Sequence, residues 1–357
     1  MLSGALREML DSAVDMDRTR EMSLTETAFD ADVWSALSDM GLVGMALPEE
    51  FGGAGSDYTD LAVVFEELGR AVAAVPLLSS VLAMSVIDRL GSDEQRSALL
   101  PGLAGGEQIG TVAMFESAHS IEADSVNVTA SAGGEAWSIT GTKRWVTDAT
   151  SATHLVVFAN TDDGLGAFVV AADAPGVQIE PVAALDATRP MATVELDTVV
   201  AADARLGGDA TRVWADTIAL ATVSIAQEQV GGAQRCLEES VDYAKSRHQF
   251  GRAIGSFQAV KHKCADMLVG VEHAKSVAWH AATTLGSEES DIAVPLAKSV
   301  CSDAYLFAAA ENIQIHGGIG FTWEHDAHLY FKRAKSTSLL FGSVEQHRDR
   351  LGEALGI

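Results

Sequence analysis

The sequence predicts an α+β protein in three parts: an N-terminal helical domain over residues 1–110, a middle antiparallel β-barrel or sandwich over 111–206, and a C-terminal four-helix-type bundle over 207–357. Three observations lead there. Apolar residues recur at helical spacing in the first part and alternate with a period of two in the second. They return to helical spacing after Gly207-Gly208. A chain of 357 residues also exceeds what one hydrophobic core holds comfortably, so two or three packed parts are expected.

In the first part, Leu61, Val64, Phe65 and Leu68 fall at i, i+3, i+4 and i+7, one apolar stripe with Glu66 and Glu67 on other faces. Ahead of it, Met40 to Gly55 is punctuated by Gly and Pro and reads as a connection. In the middle part, Trp137–Thr140, Leu155–Phe158, Ala167–Ala171 and Val177–Glu180 are short runs rich in β-formers, separated by Gly133-Gly134, Asp162-Asp163-Gly164 and Ala174-Pro175-Gly176. No helical stretch intervenes, which argues for a barrel or sandwich rather than βαβ units. From Thr211 to Arg247 the only breaker is Gly231-Gly232, so one helix of roughly 50 Å is expected at about 1.5 Å per residue. Such length favours helices packed side by side.

Composition narrows the function. With 48% hydrophobic and 21% charged residues the chain reads as soluble and globular, and 24 basic against 50 acidic residues give a formal charge of −26. Nucleic acid and anionic membrane surfaces need basic patches that so acidic a protein does not offer, so neither is an expected partner. Cys236, Cys264 and Cys301 are odd in number and widely spaced, which suits buried thiols in a reducing compartment. The N-terminus carries no apolar run of signal-peptide length and no stretch of eighteen apolar residues occurs, so the expected location is cytoplasmic. His316, His325 and His328 lie close together, but two histidines at His325-x-x-His328 without a third ligand predict no metal.

One basic cluster stands out against this charge: Arg247, Arg252, Lys261 and Lys263, gathered where a long helical pattern breaks at Gly251. A local positive site on an acidic surface suits an anionic ligand. A second feature, Gln314-Ile-His-Gly317-Gly318-Ile-Gly-Phe-Thr322, is a Gly-rich turn that backbone and ligand can share closely. In this order the two stretches resemble signatures of the acyl-CoA dehydrogenase family. Its Arg-x-x-Phe-Gly-x-x-Ile-x-x-Phe-Gln pattern is met by Arg247, Phe250, Gly251, Ile254, Phe257 and Gln258, and its Gln-x-x-Gly-Gly turn by Gln314, Gly317 and Gly318. The resemblance extends to Leu47-Pro-Glu-Glu-Phe-Gly-Gly53 and to Gly141-Thr-Lys-Arg-Trp145-Val-Thr147-Asp148, similar to the family's Gly-x-Lys-x-Trp-Ile-Thr-Asn.

What the resemblance implies is a flavoprotein oligomer. Arg247, Phe250, Gln258, Gln314, Gly317 and Gly318 are expected to hold the pyrophosphate and adenosine half of an FAD belonging to a neighbouring subunit. Trp145 is expected to pack on the isoalloxazine and Thr147 to bond to it, with Ser343 a further cofactor contact. Relatives remove the α-proton of an acyl-CoA with a carboxylate while the β-hydride passes to flavin. Two departures bear on that chemistry. The family's Thr-Glu-Pro-x-x-Gly-Ser-Asp motif is reduced to Glu116 within Ala113–Asp124. The two places where relatives carry the catalytic Glu read Phe341 and Ala221, the second found by counting twenty-six residues back from Arg247. Of the acids near those places, Glu228 lies seven residues past Ala221, roughly 10 Å along a helix and too far for a base. Asp216 and Glu345 are nearer in sequence but shifted from either position, so all three read as solvated acids of an acidic protein.

The expected function is thus a subunit of an FAD-dependent acyl-CoA dehydrogenase acting in lipid metabolism. It lends half of a flavin site, lacks the catalytic Glu and works with a second family member, with α2β2 as the expected assembly. By analogy with actinobacterial-type relatives, the substrate is a steroid or other bulky CoA thioester. The alternatives are a self-sufficient homo-oligomeric dehydrogenase with an unconventional base, or a flavin-binding relative without dehydrogenase activity.

Overall fold

The computed structural model describes residues 2–22, 25, 29–118 and 120–357; Met1 and His119, the latter inside the Ala113–Asp124 stretch, lie outside the described residues. Helices α1 (Leu2–Ala13), α2 (Met16–Met22), α3 (Ala31–Asp39), α4 (Tyr58–Ala71), α5 (Leu77–Leu90) and α6 (Asp93–Ala104) come first. Strands β1 (Gly110–Ala113), β2 (Thr129–Gly133), β3 (Ala136–Thr147), β4 (His154–Thr161), β5 (Gly164–Ala171), β6 (Val177–Val182) and β7 (Met191–Ala201) follow. The remainder is α7 (Ala210–Ser246), a short hairpin of β8 (His248–Gln249) and β9 (Arg252–Ala253), then α8 (Gln258–Thr284), α9 (Ser290–His316), α10 (Ala327–Thr337) and α11 (Val344–Leu355). The chain forms two compact units: residues 1–16, 58–73 and 222–357 in one, 17–57 and 74–221 in the other.

The second unit is built on a seven-stranded sheet in the order β1-β4-β2-β3-β7-β6, with β5 also paired to β4. The sheet is mixed rather than purely antiparallel, because β4 lies between β1 and β2 and runs parallel to both. β2–β3, β3–β7, β4–β5 and β6–β7 are antiparallel. Alternation sets the faces: along β7, Ala192, Val194 and Leu196 are buried while Glu195 and Asp197 are exposed. They join Ile139, Leu155, Val157 and Phe168 in one apolar core. Helix α5, buried along most of its length, packs on β1 and β4.

The first unit is helical. Helix α7 is a single helix of 37 residues, about 55 Å long at 1.5 Å per residue. It crosses α4 so closely that a Cβ on Gly69 would lie 2.0 Å from the Glu228 carbonyl oxygen, and one on Gly231 would lie 1.8 Å from that of Glu66. Gly232 likewise makes room for the Tyr305 ring of α9. Helix α9 is 27 residues long and apolar enough by composition to cross a membrane, but here it is a core helix packed against α8, α10 and α11. Val72, Cys236, Met267, Val271, Tyr305 and Tyr330 lie in the core of this unit.

Candidate functional site

The two groups of expected cofactor residues fall in different units: Trp145 and Thr147 in the sheet unit, the others in the helical one. In the helical unit, α7 ends and the β8–β9 hairpin turns through Phe250 at φ +53° and Gly251 at φ +77°. A phenylalanine at positive φ is uncommon, and this one is 91% exposed. Its ring meets Phe257 edge-on at 6.0 Å, and the Arg252 guanidinium sits 4.1 Å above the Phe257 ring. The turn is closed by the Ile254 N–H donating to the Arg247 carbonyl at 2.8 Å, while the Arg247 side chain stays exposed. Gln258 opens α8, also exposed.

The Gly-rich turn lies at the end of α9, where Gln314 is exposed and Gly317 takes φ +65° and ψ −137°, a conformation suited to glycine. A Cβ on Gly317 or Gly318 would meet nothing within 4 Å, so the backbone there borders open space. The turn and the hairpin are tied together through rings that motif reading missed. Tyr243, one turn before Arg247, lies 4.3 Å from His316, and His316 lies 4.4 Å from His325. His316 Nδ1–H donates to the Asn312 carbonyl at 2.8 Å, and burial lowers its pKa. His325 Nδ1 accepts the Ala327 N–H at 3.1 Å. Ser343 is the N-cap of α11 in a capping box with Gln346, at 3.3 Å and 2.8 Å.

In the sheet unit, the β3–β7 register shifts between Lys143 and Val146, and the bulge puts half-buried Trp145 at φ +53°. Thr147 is buried, with its carbonyl accepting the Thr111 hydroxyl at 2.7 Å and its Oγ1 lying 3.0 Å from Ser79 Oγ of α5. Ser79 also donates to the Asp148 carboxylate. The reduced motif holds together by other means. Lys143, fully buried, donates to the Met114 carbonyl at 3.0 Å and to Glu116 at 2.7 Å. Burial pushes its ammonium down to about 8, against the pull of Glu116. Burial alone would raise Glu116, but Lys143 and the N–H groups of Val128 and Asn127 outweigh it and hold the carboxylate below its ordinary value. Glu116 is thus a fastener of this loop, as is Trp214, whose indole N–H donates to the Ile121 carbonyl at 2.8 Å.

The two positions expected from the resemblance to carry a base hold apolar residues. Ala221 is fully buried in α7, and Phe341 is 6% exposed at φ +54°. The segment around Phe341 is pinned: buried Lys298 donates to the carbonyls of Thr337 and Leu340 at 2.6 and 2.7 Å, and His347 Nε2–H to that of Phe341 at 3.0 Å. One expectation needs correction. Glu228 is no solvated acid; it is buried and ion-paired with equally buried Arg333 of α10. Asp216 pairs with Arg89 and with Arg212. Glu345 is exposed in the first turn of α11, where backbone N–H and the Ser343 hydroxyl lower its pKa.

Three family models match in succession: the acyl-CoA dehydrogenase N-terminal domain over residues 1–107, the middle domain over 111–199 and the C-terminal domain over 211–356. Among curated proteins, acyl-CoA dehydrogenase IpdE2 of Mycolicibacterium smegmatis is 34% identical over 98% of this chain and 96% of its own. Among solved structures, the ChsE4-ChsE5 complex from Mycobacterium tuberculosis gives a TM-score of 0.92 at 32% identity, covering 99% of this chain and 96% of the matched one. A variant of the Tcur3481-Tcur3483 steroid acyl-CoA dehydrogenase gives 0.90 at 34% identity with the same coverage.

Proposed function

Since the chain belongs to the acyl-CoA dehydrogenase family, an FAD-dependent oxidoreductase family, we propose that it is the subunit of a heteromeric dehydrogenase that lends half of a flavin site to a partner and supplies no base. One observation carries this reading: in the helical unit Arg247, Phe250, Gln258 and Gln314 are exposed and the Gly317–Gly318 backbone borders open space, while the two positions where the resemblance expects a base read Phe341 and Ala221. The residues fit an FAD. Arg247 offers a charge-assisted fork for pyrophosphate, exposed Phe250 an apolar face, Gln258 and Gln314 amides, and the Gly317–Gly318 backbone borders open space. When bound, FAD supplies the acceptor for the hydride leaving the β-carbon of the thioester.

On this reading the chain's own residues bind and orient. Trp145 and Thr147 are flavin contacts of the sheet unit, and Ser343, already spent in part on its helix cap, is a further contact. Proton abstraction falls to the partner, because a base must come within hydrogen-bond reach of the α-proton. Asp216 and Glu228 are both held in ion pairs. Similarity to the ChsE4-ChsE5 complex and to a two-component steroid dehydrogenase supports an assembly of two family members. We extend it to an α2β2 assembly acting on a steroid or similarly bulky acyl-CoA. The three-part division at residues 110 and 206 belongs to the same proposal. The test is flavin content: the chain purified alone should carry little or no FAD and acquire it on co-expression with the partner. A yellow homo-oligomer with one flavin per chain would contradict the reading.

A further inference from the structure

The hydroxyl of Thr147 is one of three oxygens in a buried chain. Ser79 Oγ lies 3.0 Å from Thr147 Oγ1, is hydrogen-bonded to Asp148 Oδ2, and lies 3.4 Å from the Thr147 carbonyl. Ser79 is fully buried, with Thr147 and Asp148 3% and 6% exposed. A serine hydroxyl has one proton, and the three possible acceptors compete for it. The Thr147 carbonyl is the most distant and already receives the Thr111 hydroxyl at 2.7 Å. An ionised carboxylate accepts only, and a charge-assisted bond to it is stronger than a neutral one. The Ser79 proton therefore goes to Asp148. That leaves Ser79 as an acceptor toward Thr147, so the Thr147 proton points inward to Ser79.

We infer that Asp148, acting through Ser79, is a positioning residue that turns the Thr147 hydroxyl into an acceptor-only group. The family motif has Asn where this chain has Asp148. An amide N–H there can donate to Ser79, whose own proton then turns to Thr147 Oγ1, and the Thr147 proton is released to point outward. A single substitution thus reverses the direction of the chain. The consequence rests on the reading above, in which Thr147 contacts an isoalloxazine. Oxidised isoalloxazine has one ring N–H, and two-electron reduction adds another at N5. If Thr147 met the ring nitrogen that gains a proton, an acceptor-only hydroxyl there would favour the reduced form and a donating one the oxidised form.

The experiment compares Asp148→Asn and Ser79→Ala in the flavin-loaded complex with its partner, measuring the flavin midpoint potential and the affinities for oxidised and reduced FAD. Both variants should shift the ratio of the two affinities toward the oxidised form by roughly three- to tenfold, the scale of one neutral hydrogen bond. That lowers the potential by about 15–30 mV, since tenfold equals 29.6 mV for a two-electron couple. The double variant should shift it no further, because both changes break one chain. A merely structural role would weaken both redox forms equally and leave the ratio alone. Unchanged potentials in both single variants would overturn the inference, including the case in which the flavin contacts only the partner's sheet. The subunit reading is judged separately, by flavin content with and without the partner.

Discussion

Glu228 and Arg333 pair with almost no access to water, their side chains 2% and 1% exposed. Removing one member of a buried pair strands the other, at a cost of about 3–5 kcal/mol. Glu228→Gln should therefore lower the melting temperature markedly, a loss that a thermal melt distinguishes from loss of a catalytic base. The Glu alone gave no sign of this in the sequence, since its partner lies 105 residues later. His347 makes a second residue-scale prediction. Its Nε2–H is held by the Phe341 carbonyl, its Nδ1 is buried without a partner, and burial pushes the imidazole down to about 4. Between pH 6.5 and 4 the unfolded chain takes up a proton that the fold refuses. Stability therefore falls as pH drops through that window, by on the order of 3 kcal/mol. Denaturant melts of His347→Gln should show a flatter slope there. Arg247→Ala should cost the complex about ten- to a hundredfold in flavin affinity, the worth of one charge-assisted bond to phosphate, read by flavin titration. The fold around that exposed side chain should be untouched.

The crossing of α4 and α7 depends on glycines rather than on apolar complementarity alone. Gly231→Ala would drive a Cβ to 1.8 Å from the Glu66 carbonyl oxygen. Overpacking of this kind costs about 1–3 kcal/mol, more than the roughly 1 kcal/mol that Ala gains in helix propensity. Gly270→Ala in α8 is the matched control, because its Cβ would meet nothing closer than Ala304 Cβ at 3.9 Å. The first change should lower the melting temperature and the second should raise it slightly. At this scale much was legible in the sequence. The long helix was expected from Thr211 to Arg247 and runs from Ala210 to Ser246, because apolar spacing and the lack of breakers are local signals. The runs at Trp137, Leu155, Ala167 and Val177 are strands for the same reason. What escaped was pairing: β4 beside β1 depends on how the chain returns across the sheet, which no local pattern encodes. β7 alternates as clearly as the others but was not singled out.

For the whole molecule, the family motifs were readable because Arg247, Phe250, Gln258, Gln314 and the two glycines, the proposed cofactor residues, each lie in a short stretch of fixed spacing. The supports of the candidate site were not, because Ser79 reaches Thr147 across 68 residues and Lys298 reaches Leu340 across 42. The central claim is that this chain binds and orients while its partner abstracts the proton. Steady-state turnover of the co-purified complex measures it directly, with Asp216→Asn and Glu345→Gln made here and the catalytic carboxylate neutralised in the partner. Removing a true base costs at least about 10²-fold. The account predicts turnover within a few fold for both variants of this chain and loss of turnover when the partner's carboxylate is changed. Loss of turnover in either variant of this chain, with flavin retained, would contradict it.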